Sequence, residues 1–468
     1  MPSEGYQVSA LSEVLKETYP PELLADIYKE DHVLFKMFME GDKGRIRGRN
    51  IHIPFRTGRN PSGGAGGEWD AFPRVGVPTW DHYSPKMTFY RNRFLISTAA
   101  QDDSQGNASF VQTAEQALTD CIEGIKSKMA LDMFGNRYGV LATIALESPG
   151  GTATLILNNS FESVGAASHS IMNERGARNL MVNQYINVVN PADVGTKRVL
   201  NGAAATAAKV VSRDNTGQIT ILCDPAGNIA AKAVSLDDWV VRENGASASP
   251  IGHSIYGLDE IIDDGSFIPA TLFADYGGVD RTLLPQIDSH VVDISAAGVT
   301  SLAYEDLEDA IEVGVSMTGE APTPENFILM MHTSVRNQIR NWDRDKIIHA
   351  PMEANLGISN KDAKYNPGYG EFPFYTDRMC PVRTLFGVKR SEIQVYENIP
   401  ISWDDSDGGL LKIHRDANGV YDAHEGFLRA RIQMFSEMPH AHFKLCNMGN
   451  TRADFGKDVS TFVFPTPT

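Results

Sequence analysis

Residues 109–136 read SFVQTAEQALTDCIEGIKSKMALDMFGN, with apolar side chains at Phe110, Ala114, Leu118, Cys121, Ile125, Met129 and Met133. Steps of three and four residues place them on one stripe of an α-helix. The spacing predicts a helix over 110–134, on the order of 35 to 40 Å long at about 1.5 Å per residue. Ser109, followed three residues later by Gln112, makes a capping box, and Gly135-Asn136 stand where a left-handed C-terminal cap is expected. A stripe of Phe, Leu, Ile and Met faces a core more readily than a cofactor, so this helix reads as a scaffold element.

Upstream of it the period changes from helical to alternating. Ile51, Ile53 and Phe55 are separated by His52 and Pro54, and the glycine-dense PSGGAGG of 61–67 follows. A return arm is expected over 85–99 (PKMTFYRNRFLISTA), where Met87, Phe89, Phe94 and Ile96 flank Arg91 and Arg93. Together these read as a long two-stranded ribbon with a flexible tip. Such a ribbon cannot bury its own faces and must lie on something else. Two readings stay open: an arm lying on a neighbouring subunit, and an irregular surface loop of a single subunit. Before the ribbon, 21–39 (PELLADIYKEDHVLFKMFM) places Leu23, Leu24, Ile27, Leu34, Phe35 and Phe38 at roughly helical spacing, predicting one or two short helices.

Downstream, the runs YINVVN, AKVVSR, QITILC and DWVVRE within 181–241 alternate as short strands, with Asn215-Thr216-Gly217 as a hairpin turn. They predict an inserted small barrel or sandwich. Oligonucleotide binding by such a module needs stacking aromatics and basic grooves, and this segment offers only Tyr185 and Trp239. Helical spacing resumes over 301–316 through Leu302, Leu307, Ala310, Ile311 and Val315, with Ser301 as N-cap and Glu305 and Asp306 in the first turn. FILMM at 327–331 is of buried-strand type and leads into a helix over 334–342. From 381 onward strands dominate: TLFGV, EIQVYEN, ISW, LLKIHR and FLRARIQMF. In the last of these Leu428, Ala430, Ile432 and Met434 alternate with Arg429, Arg431, Gln433 and Phe435, predicting one buried and one wet face.

Composition bounds what this chain does. Its 468 residues, 42% of them hydrophobic, suffice for two or three modules. Residues 1–13 are polar, without a basic start followed by an apolar core, so no secretory signal is expected, and no apolar run approaches the roughly 20 residues needed to cross a bilayer. Cys121, Cys223, Cys380 and Cys446 stand too far apart for a disulfide framework or an ordinary zinc site. With 42 Lys and Arg against 59 Asp and Glu, the net charge of −17 argues against a surface made to grip nucleic-acid phosphates. The basic residues cluster once, as Lys43, Arg45, Arg47, Arg49, Arg56 and Arg59, and an acidic body with one basic strip can pair with copies of itself.

Catalytic signatures are lacking. GNTRADFGK at 449–457 has the wrong spacing for a phosphate loop, and Asp458 stands where a hydroxyl is needed. No G-x-S-x-G, H-E-x-x-H or G-x-G-x-x-G appears. His440, His442 and Cys446 could approach one another on a bent strand, but without a fourth ligand they read as structural residues. Asp404, Asp405 and Asp407 before Gly408-Gly409 resemble part of a calcium loop without its closing Glu, and read as an acidic hairpin turn. No catalytic, cofactor or metal residue is expected.

The order of parts resembles the major capsid proteins of tailed bacteriophages of the Hong Kong 97 type: a short helical arm, a long ribbon, one long helix, and a mixed domain interrupted by a β-module. LFKMF, ALDMFGN, FILMMHTSVR and PFYTDRMCPVRTLFGV are similar to that family in wording. The resemblance implies an α+β Hong Kong 97-like fold. Its parts would be an N-terminal arm at 1–40, an extended loop at 41–100, a peripheral domain with the spine helix at 101–180, the inserted barrel-like module at 181–262, and the axial domain with the remainder of the peripheral domain at 263–468. It implies self-assembly into hexamers and pentamers of a virion shell built in the host cytoplasm. A separate scaffolding protein, a portal and a decoration protein are the expected partners, with only non-specific contact to packaged DNA and no membrane. Arg45, Arg47, Arg49, Arg56 and Arg59 become candidate inter-subunit contacts. The competing readings are an encapsulin-like compartment, which shares the fold, and an enzyme with an unrecognised site.

Overall fold

The structure is a computed structural model that describes residues 32–39, 44–45, 48, 50–60, 62–63, 74–97, 109–144, 146–147, 150–157, 179–191, 193–202, 206–213, 218–224, 226–243, 253–265, 275–294, 302–318, 323, 326–333, 335–339, 364–365, 372–381, 383–404, 412–416, 419–446 and 448. Of the N-terminal stretch, Val33–Met39 is helical, while 21–31 lies outside the described residues.

The longest strand, Gly419–Ser436, organises the first sheet. On one edge it pairs antiparallel with Ile393–Trp403, and on the other with Thr88–Ser97, from Ala423 opposite Ser97 to Ile432 opposite Thr88. The long helix spans Ser109–Met133 and packs on this sheet. Asn92 Nδ2 donates to the Cys121 carbonyl at 2.9 Å. Cys121, Ile125, Met129 and Met133 share a buried cluster with Phe94, Leu428, Ala430 and Ile432, so the predicted stripe is the core face from Cys121 on, the side chains of Phe110, Ala114 and Leu118 lying outside the described residues. The helix ends differently from the expectation. Gly135 is not left-handed, and the chain leaves through tight turns with Phe134 N–H donating to Leu131 O and Gly135 N–H to Asp132 O. The capping side chains of Ser109 and Gln112 lie outside the described residues.

The expected return arm is corrected. Residues 88–97 form a strand, but its partner is Gly419–Ser436; the ribbon pairs Ile53–Gly58 with Thr79–Tyr83 instead. The wet face predicted for 428–435 also fails at its far end, where Gln433 and Phe435 are buried beneath a ring cluster described below.

A second sheet runs in the order Val140–Thr143, Trp239–Arg242, Tyr185–Asn190, Ala207–Arg213, Gln218–Asp224, Thr154–Ile156, with Asp193–Lys197 added to Tyr185–Asn190. A bridge between Ile144 and Leu157, just past its two terminal strands, brings them together and closes the sheet into a small barrel. Leu141, Ile144, Leu155, Leu157, Ile186, Val188, Val210, Ile219, Ile221 and Val240 fill it. The barrel begins at 140, upstream of the composition shift at 181. The hairpin around 215–217 connects the predicted strands, its turn lying outside the described residues.

The third sheet is mixed, in the order His290–Asp293, Phe443–Cys446, Leu385–Lys389, Phe327–Met331, Phe372–Thr376, Lys364–Tyr365. FILMM is buried along its whole length because both faces are covered. Phe327, Leu329 and Met331 join Leu307, Ala310 and Ile311 of the helix Tyr304–Thr318, whereas Ile328 and Met330 face the cluster of the first sheet. That helix starts at Tyr304, three residues past Ser301, so Ala303 holds the cap position, and Asp306 Oδ2, at the third helical position, reaches back to accept from the Ala303 N–H at 2.9 Å. Of the helix expected over 334–342, residues 335–339 are described and helical.

Candidate functional site

Among the described residues, the ribbon carries a face that its own chain leaves uncovered. Strand register puts Ile53, Phe55, Asp81 and Tyr83 on one face and Pro54, Arg56, Trp80 and His82 on the other. The first face is anchored. Phe55 stacks on Tyr83 at 4.2 Å between ring centroids, and Tyr83 meets Phe435 edge-on at 5.2 Å. Phe435 in turn stacks on Tyr276 at 4.7 Å, with Tyr256 edge-on to both. Tyr276 is delivered by the tight hairpin 275–280, whose Gly277 and Gly278 take φ of 59° and 88°. A two-residue turn of that hand needs positive φ at both positions, and a side chain at Gly277 would run into Phe435. Ser84 N–H donates to Gly277 O at 2.6 Å, tying the ribbon's root to the same hairpin.

The second face is bare. Trp80 is 65% exposed, and Val75 and Val77 on the approach to it are 85% and 77% exposed. Arg56 lies directly opposite Trp80 and is exposed, as is Arg59 just past the strand. Of the other arginines singled out from the sequence, Arg45 sits on the short strand Gly44–Arg45 in register with Glu397, while Arg47 and Arg49 lie outside the described residues. The described arginines are therefore divided, Arg56 and Arg59 at the ribbon and Arg45 at the edge of the first sheet. The apolar side chains beside them have a weak sequence signal, since TWDHY lacks a run of apolar residues.

Beneath the ribbon's seat, buried charges join the sheets. Arg137, just after the long helix, pairs through Nε with Glu260 Oε1 at 3.2 Å and through Nη2 with Asp275 Oδ1 at 2.8 Å. Burial pushes the Glu260 carboxyl up to about 7, against the pull of Arg137. Arg281 donates to Glu260 O at 2.8 Å and pairs with Asp288 at 3.3 Å. Lys444, inside the third sheet, reaches Asp259 Oδ1 at 3.2 Å and Asp263 Oδ1 at 3.7 Å, all three side chains being 0% exposed. A separate pair ties the barrel to the long helix: Arg242 Nη1 donates to both Asp132 oxygens at 2.9 and 2.7 Å, and Tyr90 OH donates to Asp132 Oδ2 at 2.7 Å.

The residues weighed for chemistry have structural surroundings. His442 is buried, Nδ1 accepts from the Lys389 N–H at 3.1 Å, and Nε2 faces Ser436 Oγ at 2.9 Å. With Nδ1 accepting, the ring proton sits on Nε2, so the ring donates to Ser436 and cannot serve as its base. Burial also pushes the imidazole down to about 3. Cys446 Sγ points at the Val292 carbonyl, 3.5 Å away. Asp404 pairs with Lys412 and Arg429, whereas 405–409 and 449–457 lie outside the described residues. Among the described residues no group of three His, Cys, Asp or Glu side chains could hold a metal, and no helix is long and apolar enough to cross a membrane.

No protein-family model matches the sequence, and no curated protein matches it. Solved structures do. A chain of the cyanophage A-1(L) capsid asymmetric unit superposes over 94% of this chain and 99% of its own length, with a TM-score of 0.51 at 10% identity. Looser matches are a Microbacterium phage Oxtober96 chain, with a TM-score of 0.43, 8% identity and coverage of 94% and 98%, and a chain from the capsid of a native GTA particle, with 0.42, 9%, and 94% and 97%. The likeness foreseen from the order of parts therefore holds where it can be compared, in the architecture: this chain has the fold of a bacteriophage capsid protein.

Proposed function

We propose that this chain is the major capsid protein of a tailed bacteriophage, assembling as pentamers and hexamers into the icosahedral shell that encloses double-stranded DNA. The observation that carries the reading, beside the fold, is the ribbon. One face is clamped to the body through Phe55 and Tyr83, while the other presents Trp80 to solvent with Arg56 opposite it, and Val75 and Val77 just before the strand are exposed as well. An anchored arm with an apolar outer face fits a contact between copies of one chain.

In this reading 1–40 is the N-terminal arm, 41–100 the extended loop, 101–180 the peripheral domain, 181–262 the inserted module, and 263–468 the axial domain with the rest of the peripheral domain. The strand pairing supports narrowing the ribbon to 53–83 and starting the module at 140. Arg45, Arg47, Arg49, Arg56 and Arg59 are contact candidates for a neighbour's acidic surface; each such pair, where solvent-exposed, adds little alone, about 0 to 1 kcal/mol. The net charge of −17 keeps the shell from gripping its DNA, so contact with the genome is non-specific. The protein acts as a structural component of the virion and not as an enzyme. Its assembly, in the host cytoplasm, draws on a separate scaffolding protein and a portal, with a decoration protein as a further partner.

Expression of the chain alone and together with a candidate scaffolding protein, followed by sedimentation and nucleic-acid analysis, tests this. Large uniform particles that take up DNA support the proposal. Particles filled with a defined protein cargo transfer the chain to the encapsulin-like reading, and a stable monomer or dimer under every condition overturns assembly altogether.

A further inference from the structure

We propose that Lys444 and Asp259 become joined by an intramolecular isopeptide bond, formed without an enzyme and assisted by Asp263. Lys444 stands in the strand Phe443–Cys446 with Phe386 and Val291 as its cross-strand neighbours, so its side chain leaves the middle of a sheet and not an edge. Asp259 belongs to the short helix Leu258–Ile261, and Asp263 follows one turn later. The ammonium lies 3.2 Å from Asp259 Oδ1 and 3.7 Å from Asp263 Oδ1, with no solvent exposure at any of the three side chains. Asp263 Oδ1 accepts no hydrogen bond, which leaves it free to take a proton.

One amine between two carboxylates in a dry site is a pre-assembled acylation geometry. Enforced proximity replaces a bimolecular encounter. Burial works to lower the Lys444 pKa, while Asp259 and Asp263 together hold it above its ordinary value; a proton must therefore pass to a carboxylate before attack. The ammonium gives one proton to Asp259, leaving a neutral amine and a carboxylic acid. The nitrogen lone pair then bonds to Asp259 Cγ as the carbonyl π pair moves onto oxygen. Asp263 takes a second proton from the nitrogen and returns it to the departing hydroxyl. The C–O bond breaks, one water leaves, the carbonyl re-forms, and Asp263 ends as a carboxylate. The balance is one ammonium and one carboxylate converted to one amide and one water, with no oxidant or cofactor. The bond would fasten the third sheet to the joint where Glu260 meets Arg137 and Arg281.

Intact-mass spectrometry of the purified full chain tests this independently of whether it assembles. The expected result is a mass one water below that calculated from the sequence, with tandem spectra of a protease digest locating a branched peptide that joins Asp259 to Lys444. Lys444→Met and Asp263→Asn should restore the missing water. Because either variant may fail to fold, the unmodified protein decides alone: the full calculated mass, with separate linear peptides for 259 and 444, overturns the proposal.

Discussion

Replacing Trp80 by serine removes the largest exposed apolar side chain among the described residues of the ribbon. A tryptophan side chain carries on the order of 200 Å², and Trp80 is 65% exposed. About 130 Å² is thus open to a neighbour, equivalent to ~3 kcal/mol at about 25 cal/mol per Å². A tenfold change in association corresponds to about 1.4 kcal/mol. Trp80→Ser should therefore weaken each ribbon contact by about two orders of magnitude, and raise the subunit concentration at which particles appear by up to that factor. The subunit itself should be nearly indifferent, because surface substitutions away from special features stay within about 0.5 kcal/mol. Light scattering against subunit concentration, followed by gradient sedimentation, measures the assembly threshold, while circular dichroism and urea unfolding check the fold. Trp80→Phe, which keeps most of the apolar area, should fall between. A natively folded Trp80→Ser protein that assembles at the unmodified threshold refutes the reasoning.

Phe435→Ala empties the centre of the ring cluster formed with Tyr83, Tyr256 and Tyr276, and should destabilise the subunit by about 3 to 5 kcal/mol in urea unfolding; a loss near zero would mean the ribbon is not seated there. Asp132→Leu should cost about 3 to 5 kcal/mol by stranding Arg242, while the Asp132→Leu/Arg242→Leu pair should recover much of it, and strictly additive losses would contradict the pairing. Glu260 supplies a pH test. Its folded pKa is raised from 4.5 to about 7, so the folded state binds more protons than the unfolded chain between those values, and its contribution to stability declines as pH rises through that window and levels above it. Relative to Glu260→Gln, the unmodified protein should lose on the order of 3 kcal/mol from pH 4.5 to 8 in paired urea titrations; a constant difference would contradict the burial argument.

Much of this was legible because it is local and periodic. The stripe from Cys121 to Met133 names the helix face that packs on the first sheet, and the unbroken apolarity of FILMM names a strand covered on both sides. What failed was partnership. The alternation of 88–97 identifies a strand, yet nothing local says that it pairs with 423–432 and that TWDHY closes the ribbon instead. The barrel's first strand, Val140–Thr143, is four buried residues that follow the long helix after the turns at 134–139, too short to show a period. Buried charge is harder still. Lys444 and Glu260 look from the sequence like ordinary solvated residues, and only the fold sets them against Asp259, Asp263 and Arg137. At the ribbon, Arg56 and Arg59 were found as charge, but Trp80 was missed because a lone aromatic among polar residues carries no pattern.

The most direct test of the central claim is electron microscopy of particles assembled from the purified chain, with scaffold supplied if needed, averaged to a resolution at which the ribbon can be traced. The account predicts closed shells of five- and sixfold clusters, with the face bearing Arg56 and Trp80 covered by an adjacent copy. Shells in which that face stays bare to solvent, or no shells under any condition, would contradict it.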